Sequence, residues 1–280
     1  MEVTSKGSML VLVVELDTLV NTALNHAARG TQEAMDIIQK AISSMIVYCS
    51  SYSLMHRANG LSVIVCLSRS MRILFPSETS GATNFVPDHY TLSAILADGF
   101  QRALDEEMGG EEGDAPEGSA GSLAQSLSSA LSIIHGQQAQ ARILILQFEK
   151  DKSQNYSALM NSIFSAQKLH ALIDALIVCG FDSHLMQQAC FLSGGLYVKH
   201  TDLSDLLQIL HAYFLADNAT RAQFVLPQQK SVDFKASCHC HKEPVEFAYM
   251  CSVCLTLYCE RSKPTDRCSV CGTESRGAKA

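Results

Sequence analysis

Stretches of hydrophobic residues alternate with helical patterns through the first 200 residues of the chain. Residues 9–14 form an apolar run without alternation, as expected of a strand that is buried on both faces. Residues 33–48 repeat apolar positions at the spacing of an amphipathic helix. Similar runs predict strands at 61–67, 71–75, 142–148, 172–179 and 195–198, and similar helical patterns predict helices at 92–107, 122–135, 158–168, 184–192 and 203–215.

The order of these elements predicts the fold class and the organisation of the chain. Strands that alternate with helices indicate an α/β fold, and we expect a doubly wound, mostly parallel sheet over residues 1–226. Residues 71–75 follow the preceding strand so closely that we expect an antiparallel hairpin. After this domain the sequence predicts a linker at 227–236, a cysteine-rich module at 237–273 and a tail at 274–280.

Most of the negative charge lies in one segment. The formal net charge is −7, and no lysine or arginine occurs between Arg102 and Arg142. Seven acids lie in this gap and account for the whole net charge, and with the neighbouring glycines they predict a flexible acidic insertion at about 105–121. The rest of the chain is balanced in charge. We therefore expect no direct, sequence-specific binding of nucleic acid, which requires concentrated basic residues.

Cysteines are concentrated in the C-terminal module, which holds seven of the eleven. Two Cys-x-x-Cys pairs, Cys251 with Cys254 and Cys268 with Cys271, are separated by thirteen residues. This spacing is typical of zinc ligands, because each short turn places two thiolates at adjacent corners of a tetrahedron. The module is also too short to bury a core of its own, so a structural metal would supply folding energy. Zinc is the expected ion.

The alternative for such a module is a disulfide framework, and the cellular compartment decides between the two. The apolar run near the N-terminus is interrupted by Glu15 and Asp17, unlike the core of a secretory signal, and no later run is long and uncharged enough to span a bilayer. We expect an intracellular, soluble protein whose thiols are available to zinc.

The remaining cysteines of the module suggest a second set of ligands. Cys238, Cys240 and Cys259 are left over, and a histidine such as His241 would complete four. A cross-braced module would use the first and third ligand groups for one ion and the second and fourth for the other. The third group supplies only Cys259, so the residues leave one ion or two open.

The predicted α/β domain shows no motif of catalysis or nucleotide binding. No glycine-rich phosphate loop follows the first strand, and no Gly-x-Ser-x-Gly occurs. Glu15, Asp17 and Thr18 offer oxygen ligands to a magnesium ion, but we favour the interpretation that they cap a helix or face solvent. The other four cysteines lie in apolar segments and are expected in the core: Cys49, Cys66, Cys179 and Cys190.

Several segments together resemble a known family. They are Leu12-Val13-Val14-Glu15, the helix that begins at Gly121-Ser122-Leu123-Ala124 and ends at Ile134-His135, Arg142-Ile143-Leu144-Ile145, 161–168, Ile173-Asp174-Ala175, Gln187-Gln188-Ala189-Cys190, 194–199, Cys238-His239-Cys240-His241 and 251–255. In order and spacing they are similar to the small von Willebrand A and zinc-finger core subunits of TFIIH, the Tfb-type subunits. The resemblance covers essentially the whole chain.

This resemblance implies a nuclear, non-enzymatic scaffold of the TFIIH core, which serves transcription initiation by RNA polymerase II and nucleotide excision repair. It implies contacts with other core subunits, especially the one that combines a von Willebrand A domain with a RING-like zinc module. One departure concerns the cation site of von Willebrand A domains, which uses Asp-x-Ser-x-Ser. Here Glu15, Asp17 and Leu19 occupy those positions, and leucine cannot ligate a cation.

Two other functions are compatible with the same pair of domains. A RING-like ubiquitin ligase would need eight ligands in a longer cross-brace, and the module is short of both length and ligands. A ubiquitin-receptor or adhesion-type A domain would need the cation site that Leu19 interrupts. We therefore expect no enzyme.

Overall fold

A computed structural model gives the architecture of the chain. It describes residues 7–26, 31–76, 87–109, 123–136, 140–148, 156–178, 181–221, 223–227, 232, 238–241, 245–254, 256–262 and 267–274. The chain divides into two compact units, Met1–Ser231 and Val232–Ala280. Among the described residues, none of the helices is both long enough and apolar enough to span a membrane.

The first unit is built on a six-stranded sheet with the order β3-β2-β1-β4-β5-β6. The strands are β1 (Met9–Glu15), β2 (Gly60–Cys66), β3 (Met71–Phe75), β4 (Ala141–Gln147), β5 (Leu172–Val178) and β6 (Tyr197–His200). All neighbours are parallel except β3, which pairs antiparallel with β2 at the edge. The predicted doubly wound, mostly parallel sheet with one hairpin arm is therefore confirmed.

Helices cover both faces of this sheet. They are α1 (Leu16–His26), α2 (Thr31–Met55), α3 (His89–Gly109), α4 (Leu123–His135), α5 (Tyr156–Lys168), α6 (His184–Ser193), α7 (Leu206–Ile209) and α8 (Asn218–Arg221). Alternate residues of β1 belong to different cores: Leu10, Leu12 and Val14 pack with α1, α2, α3 and α7, whereas Met9, Val11 and Val13 pack with α4, α5 and α6. The apolar runs lack alternation because both faces of each central strand are buried.

A buried ion network ties the end of this unit to the sheet. The Asp174 side chain on β5 is fully buried, and its Oδ1 accepts hydrogen bonds from the Leu196 N–H at 2.8 Å and Arg221 Nη1 at 3.0 Å. Its Oδ2 lies 2.7 Å from Arg221 Nη2 and 3.7 Å from Arg142 Nε. Arg142 also donates to the Ala216 carbonyl at 2.7 Å. One carboxylate thus holds two buried guanidinium groups from distant parts of the chain.

The structure differs from the sequence predictions at several elements, including α8, which was not predicted, and α2, which extends beyond the predicted 33–48. Helix α1 was not predicted and follows β1 directly. Strand β6 begins at Tyr197, two residues after the predicted start, because Gly194 and Gly195 still cap the end of α6: Gly194 has a φ of 77°, and the Gly195 N–H donates to the Cys190 carbonyl at 2.8 Å. The predicted helix at 203–215 is a 3₁₀ turn (Leu203–Asp205), α7 and a π turn (Leu210–Phe214) in succession.

Two predicted loop segments are described only at their borders. The first acids of the insertion belong to the last turns of α3, where Glu107 accepts a hydrogen bond from the Ser68 N–H at 2.9 Å and Glu106 pairs with Arg72. Residues 110–121 of the predicted insertion lie outside the described residues, as does most of the predicted linker.

Candidate metal centre

The described residues of the second unit form almost no apolar core. The regular structure of this unit comprises a short hairpin of β7 (Tyr249–Met250) and β8 (Leu257–Tyr258) and a 3₁₀ turn at Glu260–Ser262. Among its described residues, the buried side chains are those of Cys238, Tyr258, Cys259 and Cys268. A unit this small whose interior consists mainly of thiols needs another source of folding free energy.

Four cysteines meet in what we call the cysteine site: Cys251, Cys254, Cys268 and Cys271. Their Sγ atoms all lie within 4.8 Å of one another. Cys251 Sγ is 3.7 Å from Cys271 Sγ, and Cys254 Sγ is 3.5 Å from Cys268 Sγ. A tetrahedral zinc ion with Zn–S bonds of about 2.3 Å places its sulfurs about 3.8 Å apart, so the donor set fits that ion.

A disulfide framework does not fit the same atoms. The sulfur contacts of this unit are 3.4 Å to 3.7 Å, far beyond the S–S bond length of about 2.05 Å. All the described cysteines of the unit are free thiols.

The two halves of the cysteine site are built alike. The Cys251 N–H donates to the Thr256 carbonyl at 2.9 Å, and the Cys268 N–H donates to the Thr273 carbonyl at 2.8 Å. The threonine hydroxyls lie 3.1 Å from Cys254 Sγ and Cys271 Sγ respectively. Neither threonine was predicted, although Cys-Ser-Val-Cys-x-Thr occurs twice, at 251–256 and 268–273, and this repeat marks both.

Neighbouring donors lower the pKa of two of the four cysteines of this site. The hydrogen bond from the Tyr258 hydroxyl, 3.1 Å from Cys268 Sγ, and the backbone N–H groups of Cys271 and Val270 lower the pKa of Cys268 to about 5. The hydroxyl and backbone N–H of Thr273 lower the pKa of Cys271. Thiolate is the form that binds metal, so these contacts prepare the sulfurs for an ion.

A second group, the histidine site, contains Cys238, Cys240, His241 and Cys259. The three Sγ atoms and one imidazole nitrogen lie within 4.8 Å of one another. Cys240 Sγ is 3.4 Å from Cys259 Sγ, and His241 Nδ1 is 3.3 Å from the same sulfur. The expectation that the module is short of ligands for a cross-brace is therefore wrong, because the structure brings eight donors together in two groups of four.

The acids after the first strand are not part of a metal cluster among the described residues. Glu15 and Asp17 lie at the junction of β1 and α1, and each is only 8% exposed, so of the two expected roles they take the one at the start of a helix and do not face solvent. Asp17 lies in the first turn of α1, and the Thr18 hydroxyl donates to the Glu15 carbonyl at 2.9 Å. Leu19 is fully buried in the core. The position that would carry a serine ligand thus serves packing.

The cysteines of the α/β unit are core residues, as predicted for three of them. Cys49, Cys66 and Cys190 are buried, and burial raises the pKa of Cys49 to about 12 and that of Cys190 well above its usual value. They are therefore poor nucleophiles. Cys179 lies outside the described residues.

A doubly wound sheet whose cation site is interrupted by Leu19, followed by a compact unit with two groups of four metal-ligating side chains, defines a von Willebrand A-type domain joined to a cysteine-rich module. Residues 7–272 match the model of the family "Transcription factor Tfb4". The chain belongs to this family.

Individual relatives agree with the family assignment. The chain is 33% identical over 244 residues to General transcription and DNA repair factor IIH subunit TFB4 of Arabidopsis thaliana, covering 83% of this chain and 80% of the relative. It is 31% identical over 279 residues to General transcription factor IIH subunit 3 of Dictyostelium discoideum, covering 91% and 71%. These names do not favour a ubiquitin ligase or a ubiquitin receptor.

Solved structures agree on the fold. The TFIIH p34 N-terminal domain superposes with a TM-score of 0.56 at 19% identity, covering 73% of this chain and 96% of that one. A von Willebrand factor type A protein from Catenulispora acidiphila gives a TM-score of 0.50 at 12% identity, covering 73% of this chain and 41% of that one. The confirmed fold is thus of the von Willebrand A type.

Proposed function

We propose that the chain is a non-catalytic scaffold subunit of the TFIIH core, acting by protein contacts in RNA polymerase II transcription initiation and nucleotide excision repair. The observation that carries this proposal is the family match over residues 7–272, which includes both units. The relatives' names assign them to a general transcription and DNA repair factor. The proposal includes action in the nucleus, since the relatives are subunits of a general transcription factor.

The structure of the α/β unit supports a role without catalysis. In a doubly wound sheet, the carboxyl ends of the strands are the usual place for a ligand. Here the end of β1 carries Glu15 and Asp17 in a mostly buried position, and buried Leu19 replaces a cation ligand. The thiols of Cys49 and Cys190 are buried, and burial raises the pKa of each, so neither is a ready nucleophile. Capture of partners through magnesium is therefore not part of the proposal.

Exposed apolar side chains support a role in protein contacts. On the second unit, Phe247, Met250 and Val253 are 87%, 60% and 62% exposed. Large apolar side chains at the surface of so small a unit are typical of a surface that a partner covers. We propose that the partners are other TFIIH core subunits, especially the subunit that combines a von Willebrand A domain with a RING-like module.

Zinc at the cysteine site is the second element of the proposal. Four thiolates at tetrahedral spacing suit zinc, and the ion would hold the second unit in its folded form. Its role there is structural, since all four ligand positions come from the protein and none is left for a substrate.

Affinity purification tests the assembly role. The full chain, tagged and expressed at its natural level, should recover the TFIIH core subunits from nuclear extract in equal amounts, as quantified by mass spectrometry. A tagged chain with Ser252→Ala, an exposed change between two zinc ligands, should recover the same set. Recovery of the chain alone, or with ubiquitin-conjugating enzymes in place of core subunits, would overturn the proposal.

A further inference from the structure

Three of the four sulfurs of the cysteine site have a hydroxyl group 3.1 Å away. The pairs are Thr256 with Cys254, Thr273 with Cys271 and Tyr258 with Cys268. The two threonines occupy the same position of the Cys-Ser-Val-Cys-x-Thr repeat, and the tyrosine belongs to β8. The fourth sulfur, that of Cys251, contacts Cys271 Sγ at 3.7 Å and has no hydroxyl beside it in the part of the unit that the structure describes.

We propose that the three hydroxyls are positioning groups of the cysteine site, each donating to one thiolate, and that the sulfur without such a donor, Cys251, is the one that soft electrophiles modify first. This role requires the zinc ion that the proposed function assigns to the site. Four thiolates carry more negative charge than one zinc ion neutralises. Hydrogen-bond donors around the sulfurs stabilise the charge that remains.

The direction of each hydrogen bond follows from the state of the sulfur. A cysteine that binds metal is a thiolate and has no proton to donate, so the hydroxyl is the donor. A hydrogen bond to an ionised acceptor is stronger than one between neutral groups. Such a bond holds the thiolate in place and withdraws electron density from it, which makes the sulfur a weaker nucleophile.

The backbone fixes the position of both threonine hydroxyls. The Thr256 carbonyl accepts from the Cys251 N–H at 2.9 Å, and the Thr273 carbonyl accepts from the Cys268 N–H at 2.8 Å. Each threonine is thus tied to the first cysteine of its pair by the main chain and to the second by its side chain. Because the same arrangement occurs twice, the local fold of the repeat sets the hydroxyl against the sulfur.

The tyrosine hydroxyl belongs to a chain of two hydrogen bonds. Tyr258 Oη lies 3.1 Å from Cys268 Sγ and 2.9 Å from Ser269 Oγ. A tyrosine has one hydroxyl proton, so when that proton points at the thiolate, Ser269 donates to the tyrosine oxygen. Tyr258 and Cys268 are both buried. Water therefore cannot readily replace this donor, and its loss leaves a buried charge less stabilised.

The two first cysteines of the repeat differ in their surroundings. Cys268 is buried and receives the tyrosine hydroxyl, whereas Cys251 is half-buried and lacks a hydroxyl donor among the described residues. Cys271 is more exposed than either, so exposure alone predicts that an electrophile attacks Cys271. The hydrogen bonds predict attack at Cys251 instead, because a thiolate that shares less of its charge is the better nucleophile.

Alkylation of the purified, zinc-loaded full chain with N-ethylmaleimide distinguishes these two orders. The thiolate adds to the carbon–carbon double bond of the reagent, a C–S bond forms, the neighbouring carbon takes a proton from water, and the Zn–S bond breaks. Peptide mass spectrometry at low extent of reaction should find Cys251 labelled first among the four cysteines of this site. First labelling of Cys271 would overturn the proposal and assign the order to exposure.

Removing one hydroxyl at a time separates its hydrogen bond from packing. Thr273→Val keeps the shape of the side chain and should move the first label to Cys271, whereas Thr273→Ser should leave it at Cys251. Tyr258→Phe keeps the ring and should weaken zinc binding about 10-fold in competition with a chelator, as the loss of an outer partner of a metal ligand does. In the cobalt-substituted chain, each deletion should shift the thiolate-to-cobalt absorption to longer wavelength.

Two outcomes decide the proposal. Ser252→Ala, an exposed change in the same repeat, should alter neither the zinc affinity nor the absorption nor the order of labelling. Unchanged values of all three in the hydroxyl deletions would overturn the positioning role while leaving the zinc ion of the proposed function in place. A chain that binds no zinc before any substitution would overturn that ion, and the positioning role with it.

Discussion

Replacing Cys251 and Cys254 together by serine will release zinc and unfold the second unit while the α/β unit stays folded. The change removes two of the four thiolates of the cysteine site. A structural zinc ion contributes on the order of 10 kcal/mol of apparent binding free energy, and the unit has almost no apolar core to replace it. Elemental analysis should show loss of zinc, and limited proteolysis should cut rapidly within residues 232–280 at sites that stay protected in the unchanged chain.

The independence of the two units makes this prediction selective. The chain divides into two compact units between Ser231 and Val232, and each unit has its own interior. The thermal unfolding of the α/β unit should therefore stay where it is in the unchanged chain. Ser252→Ala alters an exposed residue of the same turn and should change neither zinc content nor cleavage. Retention of stoichiometric zinc by the double serine variant would contradict the ligand assignment.

Asp174→Asn should produce the largest loss of stability in the α/β unit. The variant keeps the size of the side chain and an oxygen to accept from the Leu196 N–H, but it removes the buried carboxylate that pairs with Arg142 and Arg221. Breaking a buried ion pair in this way costs about 3–5 kcal/mol. For a unit of this size we expect the melting temperature to fall by roughly 10 °C, as measured by circular dichroism or calorimetry on the full chain.

An exposed ion pair in the same sheet provides the control. Lys199 Nζ lies 2.9 Å from Asp182 Oδ2, and the two side chains are 29% and 40% exposed. Lys199→Met should cost less than about 1 kcal/mol, because water screens the pair. Equal effects of Lys199→Met and Asp174→Asn would show that burial does not set the energetics of this network.

The sheet was predictable from the sequence because its central strands are buried on both faces. Such strands appear as unbroken apolar runs. The edge strand β3 was predicted at its observed bounds as well, from its position close after β2. Helix α1, in contrast, was not predicted. Strand β1 ends at Glu15 and the helix begins at Leu16 without a loop, so no turn residues mark the change of period.

The ion network was not predictable, because it depends on long-range contacts. Arg142 and Asp174 appear in the sequence as single charges inside apolar strands, and Arg221 lies 47 residues beyond the aspartate. A charge within a buried strand indicates that some partner must exist. Only the fold shows which residues supply it, by bringing α8 to the side of β5.

The metal centre, too, was only partly predictable from the sequence. Short spacing predicts that the members of each Cys-x-x-Cys pair lie together, and the structure does bring those four cysteines together. The spacing could not decide which histidine joins Cys259, because His239 and His241 both lie next to Cys240, although His241 was named as the candidate. The hairpin decides it by directing one ring at the sulfur and the other at Tyr258.

The proposed role in both transcription and repair can be measured in one extract. Nuclear extract is depleted of this chain with its associated proteins, and promoter-directed transcription and excision of a DNA lesion are then assayed on separate templates. We predict that both activities fall together, and that both return when the eluted complex containing the chain is added back. Unchanged activities after complete depletion, or the loss of only one of them, would contradict a shared scaffold subunit of the TFIIH core.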